Sequence, residues 1–183
     1  TKEKKQYNRF TTTTSGFVGA PQTTSAPFGF RTRNEFDDFS PSITFDYKFN
    51  DDLFGYAKVA TGFKSGGVNG RANNPGEQVP YEPERVISYE AGLKGNFFDR
   101  RLQANATVFW NDYTDFQARV SQGDPSQPAL AALTVLNAGE LETKGVELEL
   151  KAVPVDNLVL SLDVGYLNAD YKVFNDAIRI NGV

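Results

Sequence analysis

Apolar and polar residues alternate along most of this chain. From Leu102 to Asn111 the even positions read Leu, Ala, Ala, Val, Trp, and the odd positions read Gln, Asn, Thr, Phe, Asn. A period of two sustained over that length predicts a strand with one apolar and one largely polar face. Leu158, Leu160, Leu162, Val164 and Tyr166 form a second apolar face, backed by Ser161, Asp163 and Gly165. Ile43, Phe45, Tyr47 and Phe49 form a third, opposite Ser42, Thr44, Asp46 and Lys48. Val146, Leu148 and Leu150 stand opposite Gly145, Glu147, Glu149 and Lys151, and Ile87, Tyr89, Ala91 and Leu93 opposite Ser88, Glu90, Gly92 and Lys94. Leu53 to Phe63 is looser, with Leu53, Ala57, Val59 and Phe63 on one side and Tyr56 and Lys58 on the other. The pattern predicts six strands and no helix of core length.

The connections fall into two lengths. Asn50-Asp51-Asp52, Phe98-Asp99-Arg100-Arg101 and Pro154-Val155-Asp156-Asn157 are short, Asp-bearing turns of hairpin type. A leucine follows each and opens the next apolar face: Leu53, Leu102 and Leu158. The links Thr11–Arg33, Lys64–Glu84 and Val120–Leu133 are long and rich in Gly, Thr, Asn or Pro. Short turns at one end and long loops at the other is the asymmetry of outer-membrane barrels. Phe63, Trp110 and Tyr166 close the apolar faces, while Tyr47, Phe49 and Phe97 sit beside the short turns. Such a strand, tilted by about 40°, crosses about 20–25 Å, the height of an outer-membrane apolar band. A soluble β-sandwich packs the same aromatics as core, because aromatics favour strands. The repeated placement of rings at face ends, and strands longer than the usual 5–6 or so residues, favour the membrane. The expected fold is all-β: an antiparallel transmembrane β-barrel, of which this chain supplies about seven strands.

Composition narrows the chemistry. The 183 residues contain no His, Cys or Met, which excludes a His- or Cys-ligated metal, a disulfide, a thiol nucleophile and a His-based triad. Lys+Arg number 19 against Asp+Glu 23, a formal net charge of −4 with no basic footprint for nucleic acid. No stretch approaches the roughly 18 apolar residues of a membrane-spanning helix. No signal peptide opens the chain, and Thr at position 1 leads us to expect a fragment or a processed product. Glu147 and Glu149 have the residue type of an acid/base pair, but parity sets both on one open face beside Glu90, Lys94, Asn105 and Asp163. A charged lumen wall is expected there. The chain is not expected to be an enzyme or to need a cofactor.

Several segments then fall into a familiar order. Tyr56-Ala57-Lys58-Val59-Ala60-Thr61-Gly62-Phe63-Lys64-Ser65-Gly66-Gly67 resembles the "Y-x-x-x-x-x-G-F-[KR]-[SP]-G" segment of TonB-dependent outer-membrane receptors. Tyr81-Glu82-Pro83-Glu84 with Ser88-Tyr89-Glu90-Ala91-Gly92-Leu93-Lys94 is similar to that family's "P-E-x-x-x-x-Y-E-x-G-x-K" strand. Phe97 to Leu102 and Phe109 to Gln117 resemble the next turn and strand, and Lys144 to Glu149 the "G-x-E-x-E" strand. Phe39-Ser40-Pro41-Ser42 resembles "F-S-P-[RK]", with Ser42 where a basic residue is usual. The series covers roughly residues 36 to 171.

The resemblance implies a barrel of roughly 22 strands occluded by an N-terminal plug. It implies import of a scarce nutrient, most plainly a ferric siderophore, with energy relayed by the TonB complex, in the outer membrane of a Gram-negative bacterium. Residues 1–183 are then a partial barrel domain, with the plug and its TonB contact and the closing C-terminal strand absent. Thr1 to Asn8 would be the outer end of an earlier rising strand. Siderophore, cobalamin, haem and glycan importers share these strands. Ferric chelates are often anionic, so Lys64, Arg71, Tyr81 and Arg119 are the candidate ligand contacts in the loops. Lipid is expected against Leu102, Ala104, Ala106, Val108, Trp110, Leu158, Leu160, Leu162, Val164 and Tyr166, and Arg85 in the headgroup layer. Lys64–Glu84 and Val120–Leu133 are expected outside the cell and the short turns in the periplasm. A passive porin, which shares the barrel, and a secreted β-sandwich binding module, which shares the alternation, are the rival readings.

Overall fold

The computed structural model describes residues 1–11, 14–15, 23–24, 28–70, 79–122 and 132–174. These form strands β1 (Lys2–Thr11), β2 (Thr14–Ser15), β3 (Thr23–Thr24), β4 (Phe28–Asp37), β5 (Ser42–Lys48) and β6 (Leu53–Lys64). Then come β7 (Gly67–Val68), β8 (Pro80–Tyr81), β9 (Glu84–Phe97), β10 (Leu102–Gln122), β11 (Ala132–Ala152) and β12 (Leu160–Phe174), with no helix among the described residues. Six strands make one antiparallel sheet in the order β12-β11-β10-β9-β6-β5. β1 pairs with β4, β2 with β3, and β7 with β8.

Register turns the alternation into two faces. Phe45, Ala57, Ala91, Val108, Val146 and Tyr166 lie in one row across the whole sheet. On the other side runs the row Asp46, Tyr56, Gly92, Thr107, Glu147 and Gly165. The first face is apolar and bare: Ile43 is 73% exposed, Leu162 54% and Val164 52%. A sandwich would cover that face with a second sheet, and none does so among the described residues. The polar face is tied by side chains. Tyr56 donates its hydroxyl to Glu90 at 2.7 Å, Asn105 donates to Glu149 at 3.1 Å, and Asn111 donates to Thr143 at 3.1 Å. Rings on this face lie over glycines of the paired strand, Tyr56 over Gly92 and Phe109 over Gly145, where a Cβ would run into the ring.

The expected turns stand at the predicted positions. In Phe98-Asp99-Arg100 all three residues take positive φ, and Asn157 does so at 66°. Leu158, expected to open the last apolar face, instead belongs to the turn, donating its N–H to Val155 O at 3.2 Å, and β12 starts at Leu160. The Asn157 kink takes up the residues that would otherwise extend the strand.

Two long links are shorter than the pattern predicts. At the two ends of the loop expected over Val120–Leu133 the β10/β11 ladder continues, up to Gln122↔Ala132, and the remainder of that loop lies outside the described residues. Within Thr11–Arg33, β4 begins at Phe28 and pairs from Phe28↔Thr11 to Asp37↔Lys2. Along β10 and β11, period two fails because a bulge interrupts the ladder between Tyr113 and Gln117. Asp115 sits there at φ 54° and Gly139 at φ 132°. The Gly139 value is open to glycine and strained for other residues, and each such break shifts which residues share a face.

Among the described residues, the buried apolar side chains lie at or beyond that bulge, while below it burial is limited to Gly55, Gly95, Gly145 and the rim carboxylate Glu142. Thr134 and Ala138 are fully buried, and Ser65, Val68, Asn69, Glu84 and Leu136 nearly so.

Candidate functional site

Three segments meet above the apolar band: the β1/β4 hairpin, the β7/β8 hairpin within Lys64–Glu84, and the upper half of β10/β11. β9 accompanies β10 only as far as Arg85↔Thr114. Beyond it, amide side chains take over from the ladder. Gln117 donates its backbone N–H to Glu84 at 2.8 Å, and its side-chain Nε2 reaches the carbonyls of Lys64, Ser65 and Glu82 at 3.3, 3.1 and 3.1 Å. Asn137 Oδ1 accepts from the Glu82 N–H at 2.7 Å, while its Nδ2 donates to the carbonyls of Glu82 and Asp115 at 2.9 and 2.8 Å. A planar amide that donates and accepts at once suits a chain segment that no ladder satisfies.

From the other side, Lys5 donates to the carbonyls of Ser65 and Gly66 at 3.3 and 3.1 Å. The Ser65–Gly66–Gly67 segment is thus held between two elements, and its glycines are needed for room. A Cβ at Gly66 would collide with the Tyr81 carbonyl and meet the Phe36 ring at 3.0 Å.

Two of the four candidate contacts converge here. A Cβ at Gly67 would meet the Tyr81 hydroxyl at 2.7 Å and the Tyr7 hydroxyl at 3.1 Å, so both phenols close on one point. Burial pushes the Tyr81 phenol above its ordinary value, the neighbouring Tyr7 adds to this, and the charge of Arg119 opposes it. Tyr81 therefore stays protonated at neutral pH, hydrogen-bonded to Tyr7 and within the field of the Arg119 charge. Lys64 is not part of this group: it pairs with Glu84 at 3.4 Å. Arg71 lies outside the described residues. Tyr7, Gln117 and Asn137 do not stand out in the sequence, where their residue types carry no spacing signal.

At the upper rim of the apolar face, charges replace hydrocarbon. Arg85 pairs with Asp38 at 3.6 Å. Glu142 accepts from Lys144 at 2.9 Å and pairs with Lys172 at 3.2 Å, and these two ammonium groups hold its carboxyl below the usual carboxylate range. Among the described residues no group of three or more acidic side chains is placed to hold a metal ion.

Residues 6–183 match the family model described as TonB dependent receptor-like, beta-barrel. The chain is 31% identical over 125 residues to the pesticin receptor of Yersinia pestis, covering 68% of this chain and 17% of that protein. It is 30% identical over 131 residues to the ferric-pyoverdine M114 receptor PbuA of Pseudomonas sp. (strain M114), covering 72% of this chain and 14% of that protein. The chain thus spans under a fifth of the curated relatives it matches. Its fold superimposes on the crystal structure of the ferric yersiniabactin uptake receptor FyuA from Yersinia pestis with a TM-score of 0.65 and 24% identity, covering 79% of this chain and 20% of that one.

Proposed function

The chain belongs to the TonB-dependent receptor β-barrel family, whose members are outer-membrane proteins of Gram-negative bacteria, and from that premise we propose that it serves the import of a ferric siderophore. It acts within the barrel domain of an active transporter. A plug carried elsewhere in the protein receives energy from the TonB complex. The relatives' names support this substrate class, since one is a receptor for ferric pyoverdine and a structural neighbour takes up ferric yersiniabactin.

The observation that carries the proposal is the meeting of Tyr7 and Tyr81 at Gly67, within the field of the Arg119 charge, above the apolar band. An anionic chelate needs donors and a positive charge held in place before it arrives. Two phenols and a guanidinium, fixed by the Gln117 and Asn137 clasp, supply both. The polar face, with Glu90, Glu147 and Glu149, lines the lumen. The apolar face, from Leu102 to Trp110 on β10 and Leu160 to Tyr166 on β12, meets lipid, because backbone in hydrocarbon must belong to a closed barrel.

Binding of ferric siderophores to the full-length receptor, followed by fluorescence quenching, tests this. Tyr81→Phe and Arg119→Gln should each weaken a bound chelate by about tenfold, the cost of a charge-assisted hydrogen bond. Unchanged affinity in both variants, across a panel of chelates that the wild type binds, rejects the assignment.

A further inference from the structure

The apolar face of the sheet is not evenly filled. Where β6 and β9 run side by side, its residues shrink to Gly55, Ala57 and Ala91, while β5 raises Phe45 and Tyr47 on one side and β10 raises Val108 and Trp110 on the other. The result is a trough between two ridges. Toward the long loops it is a groove of about 570 Å³ reaching Tyr89 and Trp110, and toward the short turns a second groove of about 430 Å³ reaches Phe49. The two share Phe45, Ala57, Ala91 and Val108, so they run on from one another along the strands.

A barrel wall that merely had to be greasy would not need this relief, since leucine or valine at Ala57 and Ala91 would serve equally in hydrocarbon. The trough also points at a charge. Arg85, Ile87, Tyr89 and Ala91 share one face of β9, which sets Arg85 about 20 Å above the trough floor along the strand. Arg85 is 60% exposed, and its pairing with Asp38 runs through Nε. The guanidinium therefore keeps most of its surface open while its ion pair uses Nε. Arg85 lies at the long-loop end, the end assigned to the cell exterior. An apolar slot sized for a chain, rimmed by Tyr89 and Trp110 and topped by a guanidinium, has the chemistry of a phosphorylated lipid site.

We propose that the β5–β10 trough is a binding site for one acyl chain of a phosphorylated glycolipid of the external leaflet, its phosphate held by Arg85. This rests on the lipid-facing assignment of the apolar face, and the test separates the two. Trp110 is the single tryptophan of the chain and forms the trough wall.

The full-length receptor is reconstituted in vesicles of phosphatidylglycerol brominated in mid-chain. The Trp110 signal is isolated as the difference from Trp110→Phe. Unlabelled bis-phosphorylated lipid A is then titrated in. Lipid A should relieve Trp110 quenching well beyond its mole fraction. Ala57→Leu and Ala91→Leu fill the trough yet keep an apolar surface, so both should fold and still be quenched, with relief falling back to the mole fraction. Arg85→Gln should lower the preference for lipid A by about two- to fivefold, the worth of an exposed charge contact. Relief in simple proportion to mole fraction in the wild type overturns the site, and an unaltered preference in Arg85→Gln overturns the phosphate assignment. If brominated lipid does not quench Trp110 at all, the lipid-facing assignment itself falls.

Discussion

The two halves of the β10/β11 pair are held by different means, which fits the proposed passage from lipid below into water above. From Leu102 to Tyr113 the ladder to β11 is unbroken, β9 pairs on the other side, and the apolar side chains are left bare. From Phe116 to Gln122 only β11 pairs, a bulge intervenes, and Thr134, Leu136 and Ala138 of β11 are buried, with Asn69 donating to Thr134 at 3.5 Å. In lipid, the backbone ladder is what matters, because an unpaired amide has no water to turn to. Hydrocarbon covers the side chains at no packing cost. In water the apolar groups must find each other, and the irregular backbone there is satisfied by Gln117 and Asn137. One strand pair is thus held by register below and by side-chain packing above.

The lower half breaks hardest. An arginine at Ala106, in the middle of the bare face, is expected to cost about 2–4 kcal/mol. Ala106→Arg in the full-length receptor should lose its heat-modifiable folded band on electrophoresis. Asn105→Arg, on the opposite face, should keep it. Equal assembly of the two would mean that the bare face does not meet lipid.

Gly66→Val acts on the upper half alone. Its new side chain must displace Tyr81 and Phe36, an overpacking expected to cost about 1–3 kcal/mol. The folded band should survive while chelate binding drops. A lost band would show that the two halves assemble as one unit.

A gentler probe is Gln117→Leu. It strips a donor from the carbonyls of Lys64, Ser65 and Glu82, an expected cost of about 1–2 kcal/mol. Hydrogen exchange should quicken at Gly66 to Asn69 and stay unchanged from Ala104 to Trp110. Faster exchange in both stretches would contradict the separation.

The smallest effect belongs to Glu142 at the boundary. Its carboxyl is depressed by Lys144 and Lys172. The stability it contributes is complete above its unfolded value near 4.5 and fades as pH falls through the lower folded value. Acid should therefore loosen the β11/β12 rim slightly, and Glu142→Gln should remove that pH dependence while leaving the rest of the acid response intact. A rim insensitive to acid in the wild type would show the ion cluster to be idle.

The same division decides what the sequence could reveal. Below the bulge, Leu102, Ala104, Ala106, Val108 and Trp110 alternate cleanly with polar residues, as the proposed placing of water and lipid on opposite sides of one sheet requires. That contrast writes itself into the pattern, along with the turns at Asp51, Asp99 and Asp156. Above the bulge both faces are wet or packed, so Ala118, Arg119 and Val120 show no period, and the positive φ at Asp115 and Gly139 shifts parity within a few residues. Val120 to Gln122 read as the start of a loop although they are ladder. Tyr81 and Arg119 could be chosen as donors in a loop. That Tyr81 meets Tyr7 within the field of the Arg119 charge, and that Lys64 is spent on Glu84, depends on pairing between distant stretches of chain, which no local pattern encodes.

Alternation forbids a slip of one residue, since that would drive Gln103, Asn105 and Thr107 into hydrocarbon. It is blind to a slip of two, which preserves every face. The rings over Gly92 and Gly145 are not blind to it. Shifted by two, Tyr56 would face Glu90 or Lys94, and Phe109 would face Glu147 or Thr143, with no vacancy to enter. These glycines act as a second digit in the address of each strand, so that a chain inserting into a membrane can tell its proper neighbour position from the nearest one that looks equally greasy.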